Sequence, residues 1–235
     1  MSDVQLRDVS VAYDDVVAVR EVNLTVPSGQ VAAVLGPSGC GKSSLLRAVA
    51  GIEPTTSGQI VINGEDQARV PTHRRSVGLM FQDHALFPHL SVGENVAFGL
   101  RMAGQSDEQI AQRTRQLLEL VGLADRTDAR PHELSGGQAQ RVALARTLAP
   151  SPRVICLDEP MGSLDRVLRR DLIELLQAAF ATEHSTVLYV SHDRDEAFAL
   201  AHTVSVMRDG RIVQTGTGDE LMNHPVDEWV SDFLS

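Results

Sequence analysis

The residues able to do chemistry in this 235-residue chain fall in three short stretches. The first is Gly36-Pro37-Ser38-Gly39-Cys40-Gly41-Lys42-Ser43, followed by Ser44. It lies between a buried-strand run, Val31–Leu35, and a helical stretch, Lys42–Ala50, that stops at Gly51. A G-x-x-x-x-G-K-S run in that strand-to-helix setting reads as a phosphate-binding P-loop. Its glycines allow a tight turn in which the backbone N–H groups from Gly39 to Ser44 face phosphate oxygens, and the helix start adds the positive end of its dipole. Lys42 is then expected to reach the β- and γ-phosphates, with the Ser43 hydroxyl on Mg²⁺.

The second stretch, Val154-Ile155-Cys156-Leu157-Asp158-Glu159, is an apolar run that carries two carboxylates to its C-terminal edge. Open α/β sheets bind ligands at that edge. Asp158 there suits Mg²⁺ held through water, and Glu159 suits the orientation of an attacking water as general base. Taken without the P-loop, the same acidic pair fits a helix cap. The third stretch is Leu134-Ser135-Gly136-Gly137-Gln138, leading into a helix through Leu148. A serine and two glycines at a helix start offer backbone N–H groups to an anion. A second anion-binding helix end makes sense if it faces a nucleotide held by another subunit; otherwise it is a serine-capped helix.

Those stretches need a scaffold, and the pattern supplies one. Strands are expected at 3–9, 20–26, 31–35, 59–63 and 76–81, then again at 154–158 and 187–191, with helices from Asp165 and Asp193. Asp209-Gly210 between two late strands reads as a hairpin turn, and 219–235 as two short helices. From about Val92 to Ala149 the period is helical, with Ser106–Asp107 as a cap. The expectation is one α/β unit of residues 1–84 and 152–235, interrupted by an all-helical insert of about 85–151.

Bulk composition limits the partners. Aromatic residues make up 4% and the formal net charge is −10, both opposed to nucleic-acid binding. Two cysteines, Cys40 and Cys156, are too few for a disulfide framework and fit a reducing compartment. No apolar run approaches the about 18 residues of a membrane-spanning helix, and the N-terminus has no signal-peptide pattern. A cytoplasmic protein that meets any membrane through a partner is the expectation.

LSGGQ between the P-loop and the Asp-Glu strand, on a helical insert, resembles the ATP-binding cassette family, and the resemblance runs from about residue 3 to residue 225. It implies a RecA-like P-loop NTPase core, an antiparallel β subdomain and an inserted α-helical subdomain. It also implies that Tyr13 stacks on adenine, although a lone tyrosine after a strand also fits edge packing. Gln82 resembles the glutamine that touches Mg²⁺ and water where the helical insert joins. Ser163-Leu164-Asp165 resembles the loop that crosses the dimer interface, and His192 the switch histidine on the γ-phosphate. Cys40, where small residues are usual, raises the possibility that thiol reagents or oxidation block ATP binding, against the blander reading of a small residue that happens to be cysteine.

The resemblance further implies MgATP hydrolysis in a head-to-tail homodimer, in which Ser135, Gly136, Gly137 and Gln138 of one copy close the site of the other. The segment Gln82–Val96, with Leu86, Phe87 and Leu90, is similar to importer ATPases for sugars, polyamines, ferric iron, thiamine and inorganic anions. Transmembrane permease subunits are expected to dock there, serving an extracytoplasmic substrate-binding protein, with no nucleic acid involved. An exporter ATPase is the alternative, and a non-transport member a weaker one, since no heptad run separates Gly36 from Ser135. Leu86 and Phe87 also fit simple packing of the insert. Trp229 and Phe233 resemble the segment that closes the cassette, with no regulatory domain expected after it.

Overall fold

A computed structural model describes residues 3–161, 166–183 and 185–235. The chain divides into two compact units, one of residues 3–79, 153–159 and 185–235 and the other of 80–152, 160–161 and 166–183.

The first unit holds two sheets. One is antiparallel, in the order β2-β1-β4-β5, from β1 (Val4–Tyr13), β2 (Val16–Val26), β4 (Ser57–Ile62) and β5 (Glu65–Asp66). The other runs β10-β9-β3-β8-β7-β6, from β3 (Val31–Leu35), β6 (Val77–Met80), β7 (Val154–Asp158), β8 (Thr186–Ser191), β9 (Thr203–Arg208) and β10 (Arg211–Gly216). Strands β9, β3, β8 and β7 are parallel, and β10 returns antiparallel. Every residue of β3, β7 and β8 is buried, which is why these strands read as continuous apolar runs rather than as alternation.

The hairpin β1–β2 is longer than its expected strands, and the cause is local. Asp8 and Glu21 adopt positive φ of 50° and 48°, and the β1–β2 register shifts between Leu6 and Val9 and again between Val9 and Val11. Each bulge breaks the period of two, so the pattern loses phase although the pairing continues to Tyr13↔Val16. At the other hairpin the reading holds: Asp209 and Gly210 have φ of 49° and 83° between β9 and β10.

Helix α1 (Lys42–Ala50) follows the loop after β3 and ends at Gly51, with φ 77°. Its last carbonyls are satisfied from outside. The Arg75 guanidinium donates to Ala48 O (3.0 Å) and Val49 O (3.2 Å), and also to Gln67 O (2.9 Å) and Val70 O (3.0 Å). A cation at that end also suits the helix dipole. The unit closes with α6 (Arg194–Leu200), α7 (Gly218–Asn223) and α8 (Glu228–Phe233), where Arg208 lies 4.7 Å over the Trp229 ring.

The second unit is helical: α2 (Val92–Met102), α3 (Asp107–Leu120), α4 (Gly136–Leu148) and α5 (Arg166–Glu183). Ser91, Ser106 and Ser135 each close a capping box with Glu94, Gln109 and Gln138. Val96, Leu100, Leu117, Leu118, Leu144 and Leu148 are among its buried residues. The turn before α2 is pinned from both sides. Fully buried Asn95 accepts from Phe87 N (2.8 Å) and donates to Ser91 O (2.9 Å), while Arg146 donates to Ala85 O (2.7 Å) and His84 O (2.9 Å).

Replacing Arg75 by alanine leaves four carbonyls without this donor. The expected loss is about 2–4 kcal/mol of stability by urea unfolding, with Arg75→Lys recovering only part of it, because an ammonium cannot reach four oxygens in one plane.

Candidate active site

Strand register assembles the site. Leu35 pairs with Ser191 and Asp158 with Val190, so the chain leaves β3, β8 and β7 side by side at one sheet edge. The residues that follow are Gly36, His192 and Glu159. Two backbone bonds extend the ladder past the strand ends, Gly36 N to Ser191 O (3.3 Å) and Glu159 N to Val190 O (3.1 Å).

The loop from Gly36 to Ser44 is shaped by close approach. A Cβ on Gly36 would lie 2.3 Å from Met207 O, and one on Gly41 2.2 Å from Ala18 O, with Gly41 at φ 106°. Only glycine fits either place. Pro37, Ser38 and Gly39 form the outer turn, Cys40 N donates to Pro37 O (3.4 Å), and no side chain caps the first turn of α1. An uncapped helix start with no acidic residue in its first turn suits an anion.

Lys42 is 4% exposed; its ammonium donates to Gly36 O (2.7 Å) and Pro37 O (2.9 Å) and lies 3.8 Å from Glu159 Oε1. The Ser43 hydroxyl donates to Asp158 Oδ1 at 2.8 Å. Burial raises the Asp158 carboxyl above the usual carboxylate range, with Glu159 adding to the shift and the Ser43 bond opposing it. A cation beside Ser43 and Asp158 would relieve that cost, and two hard oxygens suit Mg²⁺ better than a softer ion. The described residues contain no cluster of three or more His, Cys, Asp and Glu able to hold a metal. The Ser43 and Asp158 oxygens would suit Mg²⁺, which takes few protein ligands and keeps several waters.

Glu159 carries positive φ of 44°, a conformation that costs a non-glycine residue about 1–3 kcal/mol. Its second oxygen, Oε2, lies 3.2 Å from His192 Nδ1, and the His192 side chain is 51% exposed while Glu159 is 14% exposed. Lys42, Glu159 and His192 thus form one chain of contacts. Tyr13, the last residue of β1, sends its hydroxyl to Ser44 Oγ (3.2 Å) and leaves its ring partly exposed beside the start of α1.

The structure brings together Tyr13, the Gly36–Ser44 loop, Asp158, Glu159 and His192. Gln82 lies in an exposed turn two residues beyond β6 and belongs to the second unit. So do Ser135–Gln138 at the head of α4, where Ser135 N donates to Gln138 Oε1 (3.0 Å) and Gln138 N to Ser135 Oγ (3.3 Å). Ser163, Leu164 and Asp165 lie outside the described residues. Sequence reasoning overlooked the buried Glu196, which accepts from Ser191 Oγ (2.9 Å) and Tyr189 Oη (2.6 Å). The signal was there: two hydroxyls two residues apart in an apolar strand share a face and require a buried acceptor.

The sequence pattern that defines the ABC transporter family matches residues 19–162, more than half of the chain. The chain belongs to the ABC transporter family. This ABC chain is 52% identical over 97% of its length to the Fe(3+) ions import ATP-binding protein FbpC of Streptomyces avermitilis, spanning 66% of that protein. It is 44% identical over its whole length to the maltose/maltodextrin import ATP-binding protein MalK of Salmonella typhimurium, spanning 63% of that protein. The chain therefore covers just under two thirds of these curated relatives. Among solved structures it resembles the dimeric structure of MJ0796, a bacterial ABC transporter cassette. That match has a TM-score of 0.84 and 29% identity, over 91% of this chain and 98% of that one.

The two thiols behave as packing groups. Burial raises the Cys40 thiol above its ordinary value against the pull of Lys42, and burial pushes Cys156 up to about 12. A raised pKa leaves less thiolate at a given pH, so iodoacetamide should label Cys40 more slowly than a free cysteine near neutral pH. Its labelling should rise only above the ordinary thiol range, and Cys156 should stay unlabelled until unfolding; mass spectrometry against pH checks both.

Proposed function

We propose that this chain is the ATP-binding and ATP-hydrolysing subunit of an ABC importer, working as a head-to-tail homodimer. The observation that carries the reading is the convergence of Lys42, the Ser43–Asp158 pair, Glu159 and His192 at the ends of three parallel strands. The names of the relatives support import: ferric iron and maltose for the two above, and sulfate/thiosulfate for CysA of Synechocystis at 43% identity. A solved MJ0796 structure is of a dimer in a post-hydrolysis state bound to ADP and Pi, which supports turnover between two copies.

The residues divide the work. Tyr13 offers its ring to adenine, and the N–H groups at the start of α1 hold the phosphates. Lys42 exchanges its contacts with Gly36 O and Pro37 O for the β- and γ-phosphate oxygens, moving little because those carbonyls border the same loop. Ser43 and Asp158 would hold Mg²⁺, with Gln82 as the further ligand that the family resemblance implies, and the ion would neutralise phosphate charge. Glu159 orients the attacking water and accepts its proton, while His192 holds Glu159 Oε2 on one side and faces the γ-phosphate on the other. Ser135, Gly136, Gly137 and Gln138 of the second copy, with its Asp165 loop, complete the enclosure.

The partner is read from the second unit. Phe87 packs at 4.6 Å on Phe98 and under Arg146 at 5.4 Å, so it serves the insert's own packing, yet Leu86 and Phe87 stay half-buried. Beyond Ser91, a cavity of about 680 Å³ opens between α2 and α3, with Glu94, Arg101, Ile110, Thr114 and Leu118 in its wall. A short helix of a permease subunit is the proposed occupant of the surface from Gln82 to Val96, with a substrate-binding protein acting through that permease. No described helix is long and apolar enough to cross a membrane, and the proposed attachment to the inner face runs through the permease.

Glu159→Gln should keep ATP binding, lose about 10²–10⁴ in turnover and accumulate an ATP-dependent dimer in size-exclusion runs. Lys42→Ala should weaken ATP binding itself. Wild-type turnover by the Glu159 variant would end the catalytic assignment.

A further inference from the structure

His192 has its place because of the residue before it. Ser191 sits at the end of β8, 2% exposed, and makes three bonds at once. Its carbonyl accepts from Gly36 N (3.3 Å), its hydroxyl accepts from Asp193 N (2.9 Å), and the same hydroxyl donates to Glu196 Oε2 (2.9 Å). Glu196 lies on the first turn of α6, where Asp193 Oδ1 accepts from its backbone N at 3.1 Å. The turn from β8 through His192 into α6 is closed on itself, and the P-loop's first glycine hangs from the same serine.

Glu196 is 4% exposed, and Tyr189, which donates to the same oxygen at 2.6 Å, is fully buried. Burying a carboxylate is costly even when it is hydrogen-bonded, and an apolar side chain of the same volume would serve α6 packing at least as well. A carboxylate here gains what an apolar residue cannot provide, a directed bond that fixes the hydroxyl of Ser191. Burial and the neighbouring Glu196 also hold the Tyr189 phenol well above its ordinary value, so it stays a donor.

We infer that Glu196 is a positioning residue for hydrolysis, which through Ser191 holds the His192 imidazole against Glu159. The inference rests on the reading of His192 and Glu159 given above. Tyr189 is the internal control: its hydroxyl bonds the same Glu196 oxygen and neighbours the Ser191 hydroxyl, but its backbone stands three residues before His192. Loss of either hydroxyl removes one bond to Glu196, but only Ser191 connects that bond to the His192 turn.

The experiment compares Ser191→Ala, Tyr189→Phe and Glu196→Ala in the full chain, measuring kcat and, separately, ATP affinity. Misplacement of a reacting group by a fraction of an ångström to one ångström costs about ten- to a hundredfold. Ser191→Ala should therefore lose about tenfold or more in kcat with ATP affinity held within about twofold, whereas Tyr189→Phe should keep kcat within about twofold. Glu196→Ala should follow Ser191→Ala; if it fails to fold, the serine and tyrosine pair still decides. In a His192→Ala background, Ser191→Ala should lower the residual turnover no further. Equal losses from the serine and tyrosine variants, no loss from the serine variant, or a full additional loss in the His192→Ala background would each overturn the inference alone. Wild-type turnover by His192→Ala would instead overturn the reading of the site as well.

Discussion

Everything at the candidate site depends on the parallel register of β3, β8 and β7. Adjacent strands lie about 4.8 Å apart, so three loops that begin at matched rungs start within reach of one another without any long side chain bridging them. Leu35↔Ser191 and Asp158↔Val190 are those rungs. A slip of one residue in either pair would exchange the strand's two buried faces and displace a reacting group by more than 3 Å. The continuous apolar character of the three strands is thus a condition of the chemistry as well as of the core. Because both faces are packed, it is the fit of each side chain to its neighbours that opposes a slipped register.

Electrostatics accounts for what the strands deliver. Asp158 and Glu159 are adjacent carboxylates, and a triphosphate would bring further negative charge beside them. Lys42 stands close to Glu159, and no acidic side chain occupies the first turn of α1. The remaining imbalance is carried by Asp158, whose carboxyl burial holds above its ordinary range. A cation and a phosphate would complete the charges of such a site, which is the physical basis for the MgATP binding proposed above. The formal charge of −10 on the whole chain does not oppose this, because the loop and helix start present backbone dipoles locally.

Much of this was legible from residue types. The P-loop, the Asp158-Glu159 strand and the serine-capped head of α4 each lie where their spacing implied, because each has a local requirement: a tight turn, a dry strand, an uncovered helix start. The antiparallel sheet was read less well. Its bulges at Asp8 and Glu21 hide the pairing from any argument based on alternation, and they place Tyr13 at the end of a strand that seemed to stop four residues earlier. Arg75, Asn95 and Arg146 were not legible at all, and Glu196 only indirectly, through the two buried hydroxyls that need an acceptor. Each makes its bonds to backbone or hydroxyl groups distant in sequence or on the next element, and a lone charged or amide residue carries no spacing that announces such a role.

The head of α4 shows how a helix start can be satisfied and still available. Ser135 and Gln138 answer each other's backbone N–H, so the helix needs no ligand for its own stability. Gly136 and Gly137 nevertheless occupy its first two positions, although glycine is the weakest helix former after proline. Packing within the chain does not require this at Gly136, since a Cβ there would meet nothing within 4 Å. A residue that forgoes a side chain in open space leaves its backbone N–H bare to whatever approaches from outside. In the homodimer proposed above, that property is what would let this helix close over a second copy's nucleotide.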